Sequence, residues 1–151
     1  MITLTLENVE KYLAEKDIKT SLQKESNQLF CLRKYGGLEY PLFIRVYEQE
    51  TLLQLLLFFP LSIKPGCECD LARLLHLINK EVDLPGFGTD EAAGVVYYRL
   101  MLPSYEKKIQ SALISVFLDA QEKICRTFIG SIMAVSQGKA TYQAILKQLK
   151  S

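Results

Sequence analysis

Eight consecutive residues, Leu52 to Phe59, are apolar apart from Gln54. A run this short, set between the polar turn Glu48-Gln49-Glu50 and Pro60, reads as a strand with two apolar faces. Such a strand must lie centrally in a sheet, covered on each side by helices or by a partner chain. Leucine is a good helix former, so a short buried helix is the competing reading. Upstream, Tyr40 to Tyr47 alternates, with Leu42, Ile44 and Val46 on one face and Phe43, Arg45 and Tyr47 on the other, the period of a half-buried strand. Leu29 to Lys34 leads into it through Gly36-Gly37, a pair suited to the positive φ angles of a tight hairpin. Connections this short make the three strands antiparallel, because a parallel neighbour needs a crossover of about a dozen residues or more.

Helical periodicity flanks this group. Leu6, Val9 and Leu13 form one apolar stripe, with Thr5 as N-cap and Glu7 favourable in the first turn. The mostly polar stretch Ala14 to Gln28 reads as a helix end and loop. Leu71, Leu74, Leu75 and Ile78 occupy positions i, i+3, i+4 and i+7 of a second helix, with Glu68 or Asp70 at its positive end. The turn-rich Pro85-Gly86-Phe87-Gly88 follows, then a short strand over Phe87 to Asp90 and a longer one over Val95 to Leu102, ending at Pro103. Ile109, Ala112, Leu113, Val116, Phe117, Ala120, Ile124, Phe128, Ile132 and Val135 hold an apolar stripe for about seven turns at 3.6 residues each. Gly138 is its stop, and Tyr142, Ile145, Leu146 and Leu149 mark a terminal helix. The expected class is α+β, in the order α-β-β-β-α-β-β-α plus a short C-terminal helix.

The 151 residues suit one domain, 1–151, with 139–150 as the appended helix. Hydrophobic residues at 49% and charged ones at 23% predict a packed core. Eighteen basic residues against 17 acidic ones give a net charge of +1. With no basic stripe interleaved with aromatics, neither nucleic acid nor a membrane surface is an expected partner. Leu52 to Leu61 spans about ten residues where a membrane-crossing helix needs about 20. The first ten residues carry Glu7 and Glu10 in place of a signal sequence, so a cytoplasmic location is expected. Cys31, Cys67, Cys69 and Cys125 are too few and too unevenly spaced for a disulfide framework and read as reduced thiols.

Chemical motifs are sparse. His76, the only histidine, has leucine on either side and reads as a structural residue on a helix flank. Together with Cys67-x-Cys69 it offers three zinc ligands, but at no finger or ribbon spacing and without a fourth. A small-ligand or metal-dependent enzyme using His76, Cys67 and Cys69 is the alternative reading. Gly86-Phe87-Gly88 lacks the remaining residues of a phosphate loop. Asp83, Asp90, Glu91 and Glu106 read as solvated loop charges. The expectation is no enzyme, no catalytic or metal site and no cofactor.

The stronger signal is apolar surface. Leu52 to Phe59, Tyr97, Tyr98 and Met101 need more cover than two helices supply. The second helix supplies it, or else a second copy or an extended client segment does. Leu74, Ile78, Tyr97 and Met101 are the candidates for a homodimer seam, and Phe43 and Tyr47 for a client-facing patch.

The segments LLLFFPLSIKP and LARLLHLINKEVDLPGFGTDEAAGVVYYRLMLP, followed by the long amphipathic helix, resemble the YbjN-like bacterial domain, whose fold is that of type III secretion chaperones. The residues that carry the likeness are Leu74, Ile78 and Asn79, Phe87 beside its glycine turn, and Gly94-Val95-Val96-Tyr97-Tyr98-Arg99. The resemblance implies that these positions are structural and that no catalytic residue is shared. It also implies a non-enzymatic bacterial protein, either a dimeric chaperone of secreted clients or a YbjN-type regulator. The terminal helix extends beyond the minimal fold, where it caps the sheet or covers a client groove.

Overall fold

The computed structural model describes residues 1–150, with the backbone alone for Glu48. In chain order the elements are β1 (Ile2–Thr3), α1 (Leu6–Glu15), β2 (Ser21–Gln23), β3 (Gln28–Tyr35), β4 (Leu38–Val46), a 3₁₀ turn (Glu48–Glu50) and β5 (Leu52–Phe58). They continue with α2 (Glu68–Glu81), β6 (Phe87–Asp90), β7 (Val95–Pro103), β8 (Lys108–Ile109), α3 (Ser111–Ser136) and α4 (Tyr142–Lys150). Six strands form one antiparallel sheet in the order β2-β3-β4-β5-β7-β6, and β1 pairs with β8 apart from it. The α+β architecture and its element order agree with the sequence, and Leu52–Phe58 is a strand inside the sheet, not a buried helix.

Local chemistry sets several boundaries. Thr5 caps α1, its hydroxyl accepting from the Asn8 N–H at 3.2 Å. Gly36 and Gly37, at φ 54° and 82°, close the β3–β4 hairpin. Phe87–Asp90 pairs with Val95–Tyr98 across the turn Glu91–Gly94. Three short strands depart from the periodic reading. β2 forms within the polar stretch, as an edge strand bonded on one side, where Leu22 stays exposed and no apolar alternation is needed. Ile109 belongs to β8, so the long helix starts at Ser111.

The core lies between the sheet and its helices. Leu29, Leu42, Ile44, Leu53, Leu55, Leu57, Tyr98, Leu100 and Leu102 point into it from the strands, meeting Val9 and Leu13 of α1, Leu71, Leu74, Leu75 and Ile78 of α2, and Ile114, Leu118 and Ile132 of α3. An aromatic path runs through this core from Tyr35 to Tyr40, Phe59, Phe87 and Tyr98. It ends in a stacked pair, Phe87 and Tyr98, with centroids 4.3 Å apart. The Tyr98 hydroxyl donates to the Leu84 carbonyl at 2.6 Å.

Two amides tie helices to strands. The Asn79 carbonyl oxygen accepts from the N–H groups of Gly86 and Phe87 at 3.1 and 2.9 Å, and its NH₂ donates to the Phe87 carbonyl at 3.0 Å. One side chain of α2 thus satisfies three backbone groups at the start of β6, a structural role in keeping with the family resemblance. Gln121, fully buried on α3, donates to the carbonyls of Leu55 and Tyr98 at 3.2 and 3.3 Å, clamping the helix over the β5–β7 seam.

Candidate protein-binding face

The core residues of the helices, among them Val9, Leu13, Leu71, Leu74, Leu75, Ile78, Ile114, Leu118 and Ile132, cluster with the strand residues of one sheet face, Leu42, Ile44, Leu53, Leu55, Leu57, Tyr98 and Leu100. Of the cover expected for the central strand on both sides, the helices supply one side: α2 packs there with α1 and α3 and does not roof the other. By strand alternation, Phe30 and Leu32 of β3, Phe43 and Arg45 of β4, Leu56 and Phe58 of β5, and Tyr97, Arg99 and Met101 of β7 share the opposite face. The large apolar residues among them lie outside the core and are half-buried, with Leu32 46% exposed.

Four aromatic rings cross this open face strand by strand. Phe30 stands opposite Phe43, with centroids 5.2 Å apart. Phe43 meets Phe58 edge to face at 5.7 Å and 84°, and Phe58 stands opposite Tyr97 at 6.5 Å. Each geometry is tilted or T-shaped, as the ring quadrupoles favour. The Tyr97 ring ends the stripe by lying over Gly88, its partner on β6; a Cβ at Gly88 would overlap the Tyr97 hydroxyl. Arg45 and Arg99 rise beside the stripe, opposite Gln54 and Leu56 respectively. At one end the Tyr47 hydroxyl donates to the Gln54 carbonyl oxygen at 3.0 Å.

The sheet also has an unfinished edge. β6 covers β7 from Val95 to Tyr98, and the Arg99 N–H still reaches the Gly86 carbonyl at 2.9 Å. Beyond that point, up to Pro103, β7 has β5 as its one neighbouring strand among the described residues. A depression of about 370 Å³ opens here between Leu84, Pro85, Tyr97, Met101 and Phe117. Unpaired strand edges of this kind accept another extended backbone.

Of the residues singled out in the sequence, Phe43, Tyr47, Tyr97 and Met101 share the open face. Leu74 and Ile78 do not: at 1% and 3% exposure they fill the chain's own core and present almost no surface to a second copy. Their i, i+4 spacing marks an apolar stripe, and the sheet occupies it. His76 and Cys69 are exposed and Cys67 is half-buried. Cys69 and His76 are seven residues apart on α2, a rise of about 10 Å, too long for two ligands of one ion. Among the described residues no three His, Cys, Asp or Glu side chains are grouped to hold a metal ion. Nor is any helix there long and apolar enough to cross a membrane. Phe30, Leu56 and Phe58 are the members of the face that periodicity overlooked; the strand register through Phe43 and Tyr97 identifies them.

Comparison with known proteins agrees with this architecture. The family model YbjN, described as "Putative bacterial sensory transduction regulator", matches residues 5–132. The chain belongs to the YbjN family. Among solved structures, the crystal structure of YbjN, "a putative transcription regulator from E. coli", superposes with a TM-score of 0.64 at 9% identity, covering 92% of this chain and 94% of that one. At that identity the likeness establishes a shared YbjN fold. No curated protein matches the chain.

Proposed function

We propose that this YbjN-family chain is a non-enzymatic, cytoplasmic regulator that works by binding a protein client on its open sheet face. The observation that carries the reading is the stripe Phe30, Phe43, Phe58 and Tyr97 on the face to which no helix contributes buried side chains. An extended client segment would pair its backbone with β7 beyond Arg99 and lay alternate apolar side chains across the rings. Arg45 and Arg99 favour acidic residues flanking that segment. With basic and acidic residues nearly balanced, regulation in this reading runs through protein contacts, not through a nucleic-acid surface.

The test is co-purification from a native host lysate with mass spectrometry, repeated with Phe43→Asp. The wild-type chain should retain a specific protein and Phe43→Asp should lose it, at a stability cost of about 1–3 kcal/mol from the lost contacts with Phe30 and Phe58, with circular dichroism showing that the variant still folds. His76→Ala should retain the client. Equal retention by Phe43→Asp would sink the proposal, and loss in His76→Ala alone would move the client site to α2; stoichiometric zinc lost in Cys69→Ala is the result that would favour the enzyme reading.

The unfinished β7 edge also favours a second occupant, another copy of the chain, since two such edges can pair about a twofold axis. In this homodimer Tyr97 and Met101 lie near the seam. Light scattering decides it: a monomer at high concentration leaves the edge to the client, whereas a dimer lost in Met101→Pro assigns it to self-pairing.

A further inference from the structure

A second surface lies on the opposite side of the molecule and owes nothing to the open sheet face. α4 lies beyond residue 132, where the family match ends, and it packs on α2. Its attachment is concentrated at its first turn. The Tyr142 N–H donates to the Asp70 carboxylate at 3.3 Å, and the Arg73 guanidinium lies 4.2 Å from the centre of the Tyr142 ring. Ile145 is the one described residue of α4 that is buried. Past it the fit loosens: Leu146 is half-buried and Leu149 is 64% exposed, and the two line, with Leu77, Ile78 and the Lys80–Glu81 pair of α2 and Phe128 of α3, a largely apolar groove of about 400 Å³.

A nine-residue helix is marginal in water on its own, so the helicity of α4 depends on this seat. The seat in turn is shaped for more helix than α4 provides. We propose that the groove between α2 and α3 is a helix-binding site, that α4 is its displaceable occupant within the chain, and that it takes a partner helix built on the same template. That template is an aromatic residue beneath Arg73 with its N–H toward Asp70, then apolar residues three, four and seven positions later. The last of these should be bulkier than leucine, to fill the groove beside Leu149. A partner with that pattern competes with α4, which makes α4 an autoinhibitory helix for this surface.

The experiment uses a fluorescein-labelled peptide of residues 139–150 and the full-length chain, read by fluorescence anisotropy. In the wild-type chain α4 already fills the seat at the high effective concentration of a tethered segment. Ile145→Asp removes the central anchor and frees the seat. The peptide should bind Ile145→Asp saturably and at least tenfold more tightly than wild type, and more tightly again with Phe in place of Leu149. Absence of binding to Ile145→Asp up to about 1 mM peptide, or equal binding to both chains, overturns the proposal. Hydrogen exchange gives an independent reading should Ile145→Asp unfold. In the otherwise wild-type chain Arg73→Ala should speed exchange of the α4 amides about two- to fivefold while the sheet amides hold their rates. Unchanged α4 exchange would show a fixed cap.

Discussion

Gly86→Ala is expected to lower the melting temperature by about 6–12 °C, the consequence of a cost of about 3 kcal/mol in a chain of this length. The added Cβ would overlap the Arg99 carbonyl oxygen and sit 3.1 Å from its carbon. Neither side can yield easily. The Gly86 N–H is held by Asn79, and its carbonyl accepts from the Arg99 N–H. The obstacle is backbone on both sides, so side-chain rotation gives no relief, and β6 must shift away from β7. Gly130→Ala makes the matching control. Nothing lies within 4 Å of a Cβ there, and the position is inside α3, so alanine should raise stability by about 0.5–1 kcal/mol. Thermal melts followed by circular dichroism measure both, and a wild-type melting temperature for Gly86→Ala would show that the β6–β7 approach is not rigid.

Alkaline pH should unfold the protein in a defined sequence. Burial drives the Cys125 thiol far above its ordinary value of 9.0 and raises Cys31 as well, although Arg33 opposes the latter. Burial pushes Tyr40 up to about 12 and raises Tyr35 and Tyr98. Each is an acid whose folded pKa lies above its unfolded value, so the native state holds the proton longer. Stability is therefore fully present below the unfolded pKa and falls as pH rises through the interval between the two. The thiols open that interval near pH 9 and the tyrosines join near pH 10. A fully engaged thiol costs about 1.4 kcal/mol per pH unit, or about 3–6 °C in melting temperature. Cys125→Ala should start from a lower melting temperature because of its cavity, yet lose less per pH unit between 9 and 10. Parallel curves for the two proteins would refute the assignment. Thiol-reactive dye should label exposed Cys69 in the native state and reach Cys125 on unfolding.

The two chemistries of the sequence differ in how openly they report the structure. Alternation in β4 and helical spacing in α1 and α2 record which residues are buried, and those elements stand where the patterns put them; in α3 the helix is found but its phase is not, since Ile114, Leu118, Gln121 and Cys125 are buried while Leu113 and Val116 of the apolar stripe stay exposed. β2 is ladder-bonded without a buried residue, and β1 and β8 are two residues each, so Ile2 and Ile109 pack on the core without any alternation long enough to mark a strand. Leu74 and Ile78 show the limit of a stripe, because spacing marks a buried side without naming what buries it. Phe58 and Leu56 were hidden for the opposite reason. A run that is apolar at every position conceals which residues face the helices, and the register with Phe43 and Tyr97 is needed to divide them. The seat of α4 depends on Asp70 and Arg73, polar residues that look like ordinary helix surface until Tyr142 arrives.

The pairing of β5 with β7 has a consequence for how the chain emerges from the ribosome. β3, β4 and β5 are consecutive and can assemble as soon as they are made, but the far side of β5 waits for residues some 40 positions downstream. At about 5–20 residues per second that delay lasts a few seconds. During it, a nascent three-stranded sheet presents a leucine-rich flank with an unsatisfied backbone, an edge open to pairing with other chains. Slower translation across α2 should therefore lower the soluble yield.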